Sequence, residues 1–164
     1  MVDLELTRAP GDRRLYELKG VGSLRLQGFL SRTAVAEADG RSWRLASSGR
    51  WGRLLEATDA AGAVAGVFEP RSIRRGGAFR WAGHELALRP ASSWRERYAL
   101  ADGERELALI DGKGWGRRPV KVTVDDPDAL DPGLLLFAAF VVWLLAEGNW
   151  VSTGDGSSTA ATAT

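Results

Sequence analysis

The chain contains no cysteine, which excludes disulfides, thiolate metal sites and a cysteine nucleophile. Histidine is almost as scarce. His84 stands alone, so no pair of imidazoles exists for a zinc centre, and no Ser-Asp arrangement can be assembled around it. It follows Gly83 at the start of a strand-like segment and reads as a structural or incidental residue. No catalytic set emerges, so the expectation is a protein that is not an enzyme and needs no cofactor. Lysine is confined to Lys19, Lys113 and Lys121, the rest of the positive charge being arginine. The Arg, Ala and Gly richness reads as the codon bias of a GC-rich genome. With a formal net charge of +1 there is no general electrostatic footprint for nucleic acid, and no such partner is expected. The first residues, Met-Val-Asp-Leu-Glu-Leu-Thr-Arg, lack a basic stretch leading into an apolar one. No signal peptide is expected from them, and a cytoplasmic location is the default.

Long hydrophobic runs are also missing, with one exception. Leu134 to Ala146 reads Leu-Leu-Leu-Phe-Ala-Ala-Phe-Val-Val-Trp-Leu-Leu-Ala. A helix apolar on every side must be enclosed by lipid or by protein. Its length decides between them: the run covers roughly 20 Å as a helix, against about 30 Å of bilayer hydrocarbon. Asp131 suits an N-cap, Pro132 a first helical turn and Gly148 a C-terminal cap, so the helix is predicted over 132–147. The preceding flank carries Asp125, Asp126, Asp128 and Asp131, the wrong sign for the basic flanks that orient membrane helices. A buried core helix is therefore favoured. A C-terminal membrane anchor over 134–146 is the alternative.

Before Asp131 the hydrophobic period is two. Val120, Val122 and Val124 share a face opposite Lys121 and Thr123; Leu86 and Leu88, Trp43 and Leu45, and Leu24 and Leu26 repeat the pattern. Such alternation marks antiparallel strands with one wet face. Asp39-Gly40, Asp102-Gly103 and Asp111-Gly112 read as two-residue hairpin turns, and Asp59-Ala60-Ala61-Gly62 as a longer one. The predicted strands are 3–8, 14–19, 23–30, 33–38, 41–47, 51–58, 63–69, 78–82, 84–89, 94–101, 104–110 and 119–125. About twelve strands with one apolar face need a cover, and closing the sheet removes its edges. The fold expected is mainly β: a closed antiparallel barrel of about twelve strands enclosing the hydrophobic C-terminal helix. Composition is that of a globular domain over 1–147. The Ser/Thr/Ala/Gly-rich segment 148–164 has little to bury and is expected to be a disordered tail.

Several segments carry the features of a known family. They are Asp59-Ala60-Ala61-Gly62 followed by Ala63-Val64-Ala65-Gly66-Val67-Phe68, the run Trp94-Arg95-Glu96-Arg97-Tyr98, and Val120-Lys121-Val122-Thr123-Val124-Asp125 leading to Asp131 and the helix. In pattern and order the chain resembles the tubby C-terminal-like superfamily, which includes the LURP-one-related proteins and the phospholipid scramblases, over about residues 3 to 147. The resemblance implies a twelve-stranded barrel around a hydrophobic C-terminal helix. It also implies a binding or scaffold module, with phosphoinositide head groups as the ligand of tubby domains proper. The scramblase branch would imply lipid-transbilayer activity for the membrane-anchored alternative.

Candidate ligand residues follow from charge. Arg71, Arg74, Arg75 and Arg80 form the densest basic patch and suit an anionic head group, since arginine contacts phosphate with two parallel hydrogen bonds. The competing reading is a solvated loop whose charges balance nearby acids. Asp125, Asp126, Asp128 and Asp131 could hold Ca²⁺, but the turn glycine and terminal Glu of an EF-hand loop are missing. Helix capping explains them as well. Gly112-Lys113-Gly114-Trp115-Gly116-Arg117-Arg118 resembles a phosphate loop only superficially, since no Lys-Ser/Thr pair opens a helix behind it. Trp-Gly-Arg at 51–53 and 115–117 is too short to establish a repeat. The tryptophans at 43, 51, 81, 94, 115, 143 and 150 are expected to fill or rim the barrel. No partner beyond an anionic lipid surface is indicated.

Overall fold

Alternating strands and one all-apolar helix satisfy each other in the computed structural model, which describes residues 1–27, 32–49, 53–71, 76–92, 96–112 and 119–146. Twelve strands run β1 (Val2–Arg8), β2 (Leu15–Leu18), β3 (Gly22–Gln27), β4 (Thr33–Ala38), β5 (Arg41–Ser48) and β6 (Leu54–Asp59). They continue as β7 (Val64–Pro70), β8 (Gly77–Trp81), β9 (His84–Ser92), β10 (Arg97–Asp102), β11 (Arg105–Asp111) and β12 (Val120–Val124). The single helix α1 (Pro132–Ala146) follows. Each strand pairs with its sequence neighbour, and β1 pairs with β12, which closes the barrel. Every pairing is antiparallel, so all connections alternate between two ends. The helix enters at the end that holds the β2–β3, β4–β5, β6–β7, β8–β9 and β10–β11 turns. The expected architecture is the one observed.

Period-two alternation survives as burial. β12 alternates buried valines with Lys121 and Thr123, and Leu6, Leu18, Leu24, Leu45, Leu55, Phe68, Leu88 and Ile110 are fully or almost fully enclosed. Outside stand Glu5, Arg25, Arg44, Arg80, Glu85 and Lys121. This is the reverse of a membrane barrel, which turns an apolar band outward.

The helix is buried around its whole circumference from Gly133 to Val142, and every strand supplies at least one side chain to the core around it. Each large apolar side chain so enclosed contributes about 1.5–3 kcal/mol before entropic costs. The helix lies closest to β4 and β3. Small residues permit that approach: Ala34, Ala36 and Ala38 face inward on β4, and at Gly22 a Cβ would lie 2.2 Å from the Glu37 carbonyl and 3.1 Å from Leu136. Towards β7 and β8 the space is filled by rings. Phe79 meets Phe137 edge-on at 5.3 Å, with Phe68 behind it at 4.8 Å. Among the described residues no helix is long and apolar enough to cross a membrane.

Turn chemistry was partly legible. Asp39 and Gly40 both take positive φ in the β4–β5 turn, as a two-residue type I′ turn requires. Asp59 Oδ1 accepts the amides of Ala61 and Ala63, folding the β6–β7 turn as expected. Two expectations need correction. Asp102 pairs with Arg105, so Gly103 and Glu104 make that turn; Asp111 belongs to β11 and pairs with Arg97, so Asp111-Gly112 is not a tight hairpin. Between the predicted strands 78–82 and 84–89 the turn takes Ala82 as well as Gly83, at φ 48° and 82°, although alanine carries no left-handed signal. Gly148, the 148–164 tail, Lys113 to Arg118 and the tryptophans at 51, 94, 115 and 150 lie outside the described residues.

Candidate functional site

Asp131 ends the polar segment after β12 and performs the capping role its position implies. Its Oδ1 accepts the Gly133 amide at 2.8 Å, and its carbonyl accepts the Leu135 amide at 3.1 Å. Arg41, first residue of β5, reaches the same carboxylate at 3.4 Å. The guanidinium also lies 4.8 Å from the centre of the Trp43 ring. Trp43 in turn covers Gly133, where an added Cβ would stand 2.6 Å from the indole. Trp81 packs 5.9 Å from Trp43 and 6.1 Å from Phe137. These contacts seal the barrel over the start of the helix.

Two clefts flank this seal and share Trp81 and Asp131. One, of about 430 Å³, lies over Trp43 and is walled by Arg41, Asp59, Ala60, Ala61, Ala65 and Ala82. The other, of about 280 Å³, has Leu86, Leu107, Leu130 and Leu134 below and His84, Asp102, Arg105, Asp125 and Asp126 around it. Arg105 binds Asp125 at 2.9 Å. That bond holds the Arg105 guanidinium above its ordinary pKa, with Asp126 and Asp102 adding to the field.

Three of the four acidic residues singled out by sequence have individual partners. Asp125 takes Arg105, Asp131 takes the helix amide and Arg41, and Asp126 Oδ1 accepts the amides of Asp128 and Ala129 at 3.1 and 3.3 Å. Asp128 is exposed. Among the described residues no three His, Asp or Glu side chains are grouped as metal ligands.

Of the basic candidates the structure describes Arg71 and Arg80. Arg71 is exposed just beyond β7, its amide bonded to the Gly76 carbonyl at 3.1 Å. Arg80 points outward from β8 opposite Val67 and Glu85, three residue pairs from the Pro70–Gly77 pair that borders Arg71. That separation is roughly 10 Å along the strand. Arg74 and Arg75 lie outside the described residues. Sequence reading overlooked Arg13, Arg14 and Arg53, which are exposed at the same helix-exit end as Arg71. They are far apart in the chain, and only the alternation of hairpins puts them at one end.

Comparison with known proteins finds no matching family model, no matching curated protein and no matching solved structure.

Proposed function

We propose that this chain is a non-enzymatic binding or scaffold module of the tubby-like type, taking its ligand on the outside of a filled barrel. One observation carries the reading. Among the described residues no carboxylate, guanidinium, ammonium or imidazole group is buried in the core, and these charged groups stand at or near the surface. The helix fills the space that a ligand-carrying barrel leaves open, so recognition falls to the rims and outer face. The twelve-stranded barrel around a C-terminal helix is also the fold that the tubby-like resemblance implies.

For the ligand we favour anionic lipid head groups, met by the exposed arginines at the helix-exit end. Arg13, Arg14 and Arg53 are added to Arg71, taken from the expected set of Arg71, Arg74, Arg75 and Arg80. Each arginine held at an anionic surface contributes about 1 kcal/mol, or roughly fivefold in partitioning. Sedimentation with phosphatidylserine-containing and pure phosphatidylcholine vesicles tests this. Preferential pelleting with the anionic vesicles, reduced in Arg13→Ser/Arg14→Ser/Arg71→Ser, is expected. Equal partitioning ends the lipid reading. The alternative, an anchor over 134–146 with scramblase-like activity, requires the barrel to surrender its core helix. Protein that stays in the membrane pellet after alkaline carbonate washing would favour it.

A further inference from the structure

The smaller cleft beside the helix entrance has a floor and a rim of different chemistry. Leu86 of β9, Leu107 of β11 and Leu130 are half-buried there, above Trp81 and Leu134. Leu107 lies at a register break. Leu100 pairs with Ala108 and Ala101 with Glu106, so Leu107 has no partner on β10. Its carbonyl instead accepts the Asp125 amide at 3.0 Å. Such a bulge interrupts the alternation of faces and re-aims a side chain. Here alternation is regular from Leu107 to Ile110, and the break turns Glu106 outward beside the half-buried Leu107 at the edge of the cleft.

Rim charge is unbalanced. Arg105 and Asp125 neutralise one another, and Asp131 is engaged by the helix amide and Arg41. Asp102 and Asp126 remain, and neither forms an ion pair among the described residues. An apolar floor under two surplus carboxylates complements a cation attached to an apolar group. At about 280 Å³ the cleft is at the lower limit for an entire small-molecule ligand and accommodates a side chain or two.

We propose that this leucine-floored cleft docks a segment of a partner polypeptide, which inserts an aliphatic or aromatic side chain and sets a flanking Lys or Arg against Asp102 and Asp126. The inference rests on the binding-module reading for its class alone. It concerns the opposite end of the barrel from the arginines, so the vesicle result leaves it standing or falling by itself.

Selection of a random heptapeptide display library on the intact protein tests it. Enriched peptides should carry Leu, Ile, Phe or Trp next to Lys or Arg. Their affinity should drop about tenfold for Asp102→Asn/Asp126→Asn, since charge-assisted bonds are lost. Asp126→Asn retains the oxygen that accepts the two turn amides, so the double variant is expected to melt like the parent. Leu107→Ala should weaken the same peptides without altering charge. Backbone amide shifts on titration should centre on 84–86, 102–107 and 125–131. Enrichment of acidic or wholly polar peptides, no enrichment, or binding indifferent to both variants would overturn the proposal. So would concentration-dependent self-association abolished by the double variant, which would give the cleft to a second copy of this chain.

Discussion

Single residues carry the tightest constraints at the helix entrance. Alanine is ordinarily the better helix former by about 1 kcal/mol, yet Gly133→Ala should destabilise this protein. The new methyl would stand 2.6 Å from the Trp43 indole, and the ring cannot retreat because Trp81 and Arg41 pack against it. Overpacking of this kind costs about 1–3 kcal/mol, readable as a lower urea midpoint; a raised midpoint would refute the contact. Ala82 holds φ 48° in an exposed turn, where Asn is better suited. Ala82→Asn should raise the melting temperature, by an amount equivalent to about 0.5–1 kcal/mol. Asp12 shows the sign of the acid response. The Arg14 amide and then the Arg25 guanidinium hold its carboxyl below the ordinary 3.8. A lowered folded-state pKa adds stability that is present above the unfolded value and lost as pH falls through the folded one. Asp12→Asn should therefore flatten the decline of melting temperature below pH 3.8, and an unchanged slope would show that the pair is idle.

At the scale of elements, the helix depends on a cap outside itself. Its first turn contains no acidic residue, so Asp131 is the main anionic group at the positive end of the dipole. Asp131→Ala should cost about 1 kcal/mol, and Asp131→Asn distinctly less, because the amide oxygen still accepts the Gly133 N–H. Equal losses in the two would shift the importance from the cap to the Arg41 contact. Between strands, the small residues of β4 set where the helix lies. An Ala-Val-Ala-Glu-Ala stretch appears an unpromising strand by propensity, but its alanines are where the barrel wall must come closest to the helix.

For the whole molecule, closure and filling are inseparable. The first and last strands are joined from Val2–Val124 to Leu6–Val120, and Asp3 ties the seam through Thr123 at 2.8 Å and Lys121 at 2.9 Å. The closed wall then encloses a volume that the C-terminal helix and the inward strand side chains fill together. Ending the chain near Asp131 should abolish a cooperative melt, whereas ending it near Asn149 should leave the transition almost unchanged. A cooperative, monomeric protein without the helix would contradict the filled-barrel description.

Much of this was readable from local pattern. Twelve strands and a helix from Pro132 followed from periods of two and from an apolar run bounded by Asp-Pro, since side-chain alternation and capping are decided within a few residues. The sequence by itself determined the barrel's inner and outer faces, the enclosure of the helix and the role of Asp131. Tertiary structure alone decided which end each connection occupies. It brought Asp102 and Leu107 beside Asp126 and Leu130, and laid Trp43 on Gly133. Those relations depend on strand register and on a bulge. Register is set by pairing with distant strands and by the space left around the helix, neither of which is written in any one segment.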